Sequence, residues 1–133
     1  MAIRALAARV PGAMAQRDEI IAYLDELLEV EAFADDGPNG LQVPGAAEVS
    51  RVFTGVSAQR ELFEQAAAAG AELVLSHHGL FWDFHTRAIG PAMKQRLRVL
   101  FDADISLAAY HLPLDAHPEV GNNALICAAL GLE

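Results

Sequence analysis

Leu73-Val74-Leu75-Ser76-His77-His78-Gly79-Leu80-Phe81-Trp82 is an apolar run that breaks off in two adjacent histidines. A short apolar stretch closed by polar residues and glycine reads as a buried strand reaching the rim of a sheet. A second stretch of the same design follows, in which Ile105 to Tyr110 reads as a strand and His111-Leu112-Pro113-Leu114-Asp115 as its polar end. A third candidate strand, Arg51 to Val56, comes before both.

Between these strands the spacing predicts helices. Ile20, Ile21, Leu24, Leu27 and Leu28 recur at helical intervals, which places a first helix over Arg17 to Glu31. Asp35-Asp36-Gly37-Pro38-Asn39-Gly40 is a turn cluster, and Leu41 to Val43 is a short extended segment. Ser57 is a candidate N-cap for a helix over Ala58 to Ala69, ended by Gly70. Pro91 opens a helix to about Asp102, and Asn122 to Leu130 reads as the last helix. Alternating strands and helices indicate an α/β fold with a largely parallel sheet flanked by helices. In such folds ligands gather beyond the carboxyl ends of the strands, where Ser57, His77, His78, His111 and Asp115 fall here.

Bulk properties narrow the function. The 133 residues suit one domain, and no apolar run is long enough for a spanning helix. Residues 1–16 read as an N-terminal extension rather than a leader, because Pro11-Gly12 interrupts the apolar part, and residues 17–133 as the domain. A net charge of −9 with only nine scattered Lys and Arg argues against a nucleic-acid partner, and the lack of a spanning run argues against a membrane one. The single Cys127 excludes an internal disulfide, fits the cytoplasm, and reads as a small buried hydrophobe on a helix.

Imidazoles together with a carboxylate suit zinc, manganese, iron, cobalt or nickel. If the strand ends at Ser76, the following loop can turn both His77 and His78 toward one cleft, or toward two ions. Asp115, with two oxygens, is the natural bridge. His111 can orient Asp115, bond a substrate or cap the strand. His85 and His117 read as solvated loop residues, and Phe81 and Trp82 as core or as the wall of a cleft. There is no His-Glu-x-x-His, paired-Cys, Gly-rich phosphate-loop or Gly-x-Ser-x-Gly pattern.

Four segments in register carry a resemblance. Pro38-Asn39-Gly40-Leu41-Gln42-Val43, Thr54-Gly55-Val56-Ser57-Ala58, Ser76-His77-His78-Gly79-Leu80-Phe81-Trp82 and Tyr110-His111-Leu112-Pro113-Leu114-Asp115-Ala116-His117-Pro118, extended by Gly121-Asn122-Asn123-Ala124, resemble the Nif-three-like family. Its members are dinuclear metal centre hexameric proteins, many named type 2 homologues of GTP cyclohydrolase 1. The resemblance covers about Asp18 to Leu132. It implies two divalent metal ions in the complete site, with His77, His78 and Asp115 as ligands. It also implies that His111 lies beside the metals or faces substrate, and that the assembly is a toroidal homo-hexamer.

Family members are roughly double this length and carry further ligands, spaced His-x-x-x-Glu, near their far end. No histidine of this chain has Glu four residues on. The expectation is therefore a domain truncated before that ligand motif, holding at most one ion well. The resemblance implies metal-dependent hydrolysis of a nucleotide-like small molecule, with Asp115 or His111 taking a proton from water. The alternatives are a non-enzymatic metal-binding or regulatory scaffold, and an inactive fragment.

Overall fold

The computed structural model describes the backbone of residues 6–9 and the whole of residues 14–132. In chain order the elements are strands β1 (Leu6–Arg9) and β2 (Ala15–Gln16), helix α1 (Arg17–Leu27), a 3-10 turn (Val30–Ala32), β3 (Gly40–Val43), β4 (Glu48–Val49) and β5 (Arg51–Ser57). They continue with α2 (Arg60–Ala68), β6 (Leu73–His78), α3 (Pro91–Asp102), β7 (Ser106–Ala109), α4 (Leu112–Ala116) and α5 (Asn122–Leu130). The extension expected over residues 1–16 lies largely outside the described residues.

The main sheet has the order β1-β5-β6-β7-β3. Its centre is parallel, with Thr54 opposite Leu75 and Leu75 opposite Ala108, and both edge strands run antiparallel. Helices α2 and α3 provide the crossovers that parallel neighbours require. β2 and β4 form a separate two-stranded ribbon. The extended Leu41 to Val43 segment is thus an edge strand, paired with β7.

Alternation along the strands sends side chains to two cores. On one face Phe53, Val74 and Leu107 pack with Leu62, Phe63 and Ala66 of α2 and with Leu97 and Leu100 of α3. Each such large apolar side chain stabilises the fold by about 1.5–3 kcal/mol. On the other face Leu73, Ala108 and Tyr110 meet Ile21 and Leu28. Helix α5 closes neither core. Leu125, Ile126 and Leu130 are 54%, 57% and 68% exposed, and the first two border an open apolar groove that also takes in Val56 and Leu75. Cys127 on this helix is half-buried rather than buried, because α5 packs no face inward.

Three local expectations are corrected. The first helix stops at Leu27, and Glu29 takes a left-handed conformation (φ 50°) before the 3-10 turn. Ser57 does not cap α2. That helix starts at Arg60, without a side-chain cap, and Ser57 turns to His78 instead. Asp115 lies on helix α4, not on a loop.

Candidate metal centre

β6 does not end at Ser76 but runs through both histidines. His77 therefore shares its face with Leu73 and Leu75, and His78 shares the opposite face with Val74. The rings nevertheless approach to 4.6 Å between centroids. This is possible because β5 ends at Ser57, level with His78, and β7 ends at Ala109, level with Ser76. On the β7 side the pairing stops at Ser76, so no strand of the sheet flanks the two histidines there.

His111 follows β7 directly, as the residue before α4. Its ring centroid lies 5.0 Å from that of His77 and 5.6 Å from that of His78. One nitrogen from each of the three rings lies within 4.8 Å of the others. Asp115 is one turn along α4, its N–H donating to the His111 carbonyl at 3.1 Å. This spacing of four residues brings Asp115 Oδ2 to 3.5 Å from His77 Nε2. The structure thus brings His77, His78 and His111 to one point, with Asp115 beside His77 at the edge of that cluster. His85 and His117 stay outside the cluster. His117 is not simply solvated, since its Nδ1 accepts the N–H groups of Glu119 and Val120.

Each ring is held from behind through Nδ1. His77 Nδ1 lies 3.0 Å from the Tyr110 carbonyl, and His111 Nδ1 lies 2.8 Å from Asp35 Oδ1. Both partners only accept, so both Nδ1 atoms carry the proton, and the lone pair each ring has left to offer is on Nε2. His78 Nδ1 shares a 3.1 Å hydrogen bond with Ser57 Oγ. Imidazoles anchored in this way, with one nitrogen kept open, are the usual arrangement of metal-binding histidines.

Asp35, Asn39, Gln42 and Asn122 were not singled out as site residues from the sequence, yet they set this geometry. Asp35 Oδ2 accepts from Asn39 Nδ2 and from the Leu112 N–H, while Asn39 Oδ1 accepts the His111 N–H at 2.7 Å. Burial pushes the Asp35 carboxyl upward. The hydrogen bonds from His111, Asn39, Leu112 and Asp36 outweigh it and hold the pKa at about 2. Gln42 clamps the turn after β6, accepting the Leu80 N–H at 2.8 Å and donating to the Pro38 carbonyl. Asn122 Nδ2 donates to Asp115 Oδ1 at 2.8 Å, which leaves Oδ2 on the side of His77. Burial, seconded by the neighbouring His77 and His111 imidazoles, pushes His78 below its ordinary 6.5, with Asp115 opposing. A neutral ring is the form that binds metal.

The aromatic pair after the histidines is only partly in the core. Phe81 is 39% exposed, and the Trp82 ring stands edge to face with His111 at 5.1 Å.

Comparison with known proteins agrees with this geometry. The sequence profile of the family described as Duf34/NIF3 (NGG1p interacting factor 3) matches residues 15–133. The chain belongs to this family. Among Duf34/NIF3 relatives, it is 45% identical over 116 residues to the "GTP cyclohydrolase 1 type 2 homolog" of Deinococcus radiodurans, and 44% identical over 114 residues to the protein of that name from Escherichia coli K12. These alignments take in 87% and 86% of this chain but 44% and 46% of the relatives, so the chain spans slightly under half of their length.

Solved structures give the same picture. Protein ybgI, described as of unknown function, superposes with a TM-score of 0.86 at 43% identity, over 88% of this chain and 47% of that one. TTHA1606 from Thermus thermophilus follows at 0.81 and 40%, over 90% and 49%. No helix among the described residues is long and apolar enough to cross a membrane.

Proposed function

We propose that this Duf34/NIF3 chain binds a divalent metal ion through His77, His78, His111 and Asp115, as the metal-holding half of a hydrolase-type site for a nucleotide-like substrate. The observation that carries the reading is the anchoring of the three rings. The Tyr110 carbonyl after β7, Ser57 of β5 and the Asp35 turn each occupy one Nδ1, and one nitrogen of each ring lies within 4.8 Å of the others. The donor set of nitrogens and one carboxylate oxygen fits zinc, manganese, iron, cobalt or nickel. The relatives' name, GTP cyclohydrolase 1 type 2 homolog, supports a nucleotide as the substrate class.

A divalent ion in such a site supplies Lewis acidity, which lowers the pKa of water and offsets negative charge on the attacked group. The chain's own residues orient and move the proton. Asp115 Oδ2, free of the Asn122 hydrogen bond, is positioned to accept it, and His78, kept neutral, stays available as a donor atom near neutral pH. The matched region is 44% of the Deinococcus relative, which supports a two-ion site and turnover being properties of a longer polypeptide. The exposed Val56, Leu125, Ile126 and Leu130 support assembly with further protein, here a homo-oligomer. The single cysteine supports a reducing compartment, the cytoplasm.

The test is elemental analysis after loading with zinc or manganese, followed by assay of GTP turnover. The expected result is bound metal in the parent and none in the double variant His77→Ala/His78→Ala. Equal metal in both would refute the ligand assignment. Metal retained without turnover of nucleotides favours a binding or regulatory scaffold.

A further inference from the structure

Of the three anchored rings, His78 differs in what stands behind it. The Tyr110 carbonyl behind His77 and the Asp35 carboxylate behind His111 only accept, which fixes the proton of both rings on Nδ1. Behind His78 stands the Ser57 hydroxyl, 3.1 Å from Nδ1, and a hydroxyl both donates and accepts. The hydrogen bonds therefore dictate the tautomer of two rings and leave that of the third open.

Ser57 is held where it can serve both tautomers. β5 and β6 run parallel with Ser57 opposite His78, so the two side chains leave the sheet on the same side. The backbone around this pair is tied down, with the Ala58 N–H donating to the His78 carbonyl at 2.9 Å and the Gln59 N–H to the Ser57 carbonyl at 2.8 Å. Ser57 Oγ has no other hydrogen-bond partner among the described residues. Its O–H can turn about the Cβ–Oγ bond and disturb nothing but the ring.

One nitrogen from each ring lies within 4.8 Å of the others. In a chain without metal, three lone pairs brought together repel one another. His77 and His111 have their protons committed, so only His78 can relieve the repulsion. It does so by carrying its proton on Nε2 while Ser57 donates to Nδ1. Metal binding has the opposite requirement, a lone pair on Nε2 and an N–H at Nδ1 donating to an outer partner.

We propose that Ser57 is a positioning residue that lets His78 change tautomer, so that His78 is the one imidazole of the three that closes onto the ion and opens from it. On closing, the proton leaves Nε2 for water, another is taken up at Nδ1, and the Ser57 hydroxyl turns from donor to acceptor. The ring is neutral before and after, and the proton count does not change. The metal-bound half of this inference rests on the metal-binding reading, whereas the metal-free half rests on the hydrogen bonds alone.

The test is two-bond proton–nitrogen spectroscopy of the 133-residue chain labelled with nitrogen-15 in its histidines, at mildly alkaline pH where imidazoles are neutral. Zinc affinity is measured on the same preparations by competition with a chelating dye. In the metal-free chain His77 and His111 show the proton on Nδ1 and His78 shows it on Nε2. Zinc moves the His78 proton to Nδ1 and leaves the other two where they are. Ser57→Ala shifts the metal-free His78 Nδ1 resonance toward that of an unbonded nitrogen, leaves the His77 and His111 resonances in place, and weakens zinc about 10–100-fold. Ser57→Thr restores both properties, and urea midpoints confirm that both variants fold. A metal-free His78 with its proton on Nδ1, or equal zinc affinity in Ser57→Ala, overturns the assignment even where zinc binds. A His78 proton on Nε2, with an Nδ1 resonance that answers to Ser57, in a chain that takes up no zinc sustains the Ser57 contact and removes the metal reading instead.

Discussion

Asp35 and His111, 76 positions apart in sequence, are joined by a 2.8 Å hydrogen bond between Oδ1 and Nδ1. The Asp35 side chain is only 3% exposed, so this carboxylate serves the imidazole rather than solvent. Asp35→Asn keeps the shape and removes the charge. Outer partners of this kind contribute about 10–100-fold to metal affinity. A zinc competition titration against a chelating dye therefore shows affinity falling within that range. Unchanged affinity would mean that His111 holds no metal.

Acid weakens the fold in two stages. The folded chain favours neutral His78, so that contribution is complete above pH 6.5 and is lost as pH falls through the depressed value. It also favours ionised Asp35. That contribution, about 2 kcal/mol, is complete above pH 3.8 and is lost as pH falls through about 2. Urea midpoints measured from pH 7 downward decline in both windows. His78→Asn loses the upper decline, and Asp35→Asn the lower.

Tyr110 separates stability from metal binding. Its hydroxyl donates to Asp25 Oδ1 at 2.8 Å and ties α1 to the end of β7, while its backbone carbonyl holds His77. Burial, helped by Asp25, pushes the phenol well above its ordinary range, so the hydroxyl stays protonated. Tyr110→Phe costs about 1–2 kcal/mol in urea unfolding, because Asp25 loses a partner. Metal affinity stays at the parent value, since the contact to His77 is through the backbone.

Gly79 has no room for a side chain. A Cβ there would collide with the side-chain amide of Gln42. Gly79→Ala expels that amide, frees the Leu80 N–H and costs about 1–3 kcal/mol by thermal unfolding. Removing the obstacle in Gly79→Ala/Gln42→Ala recovers only the steric part, so the double variant falls between the single variant and the parent.

The fold was legible because strand and helix periods differ, and β5, β6, β7, α3 and α5 all follow their patterns closely. The four residues that gather at the sheet rim were also legible, as polar residues closing apolar runs. What stayed hidden depends on partners distant in sequence. Ser57 looks like a cap from its neighbours alone, and only the register of β5 on β6 puts it against His78. Asp35 and Asn39 look like ordinary turn residues until the chain returns with His111. The convergence of His77 and His78 was read as requiring the strand to stop, whereas β6 runs through both and only its neighbour β7 stops short of them. One local signal was missed, the four-residue interval from His111 to Asp115, which is a single helical turn.

The three imidazoles ride on β6 and on the threshold of α4, whereas Trp82 to Arg87 ride on an irregular span between Gly79 and Pro91. The two parts are coded by separable stretches of the gene. Exchanging the span for another of different length leaves the strand register intact, so natural drift or deliberate grafting can change what the site admits without rebuilding what grips the ion.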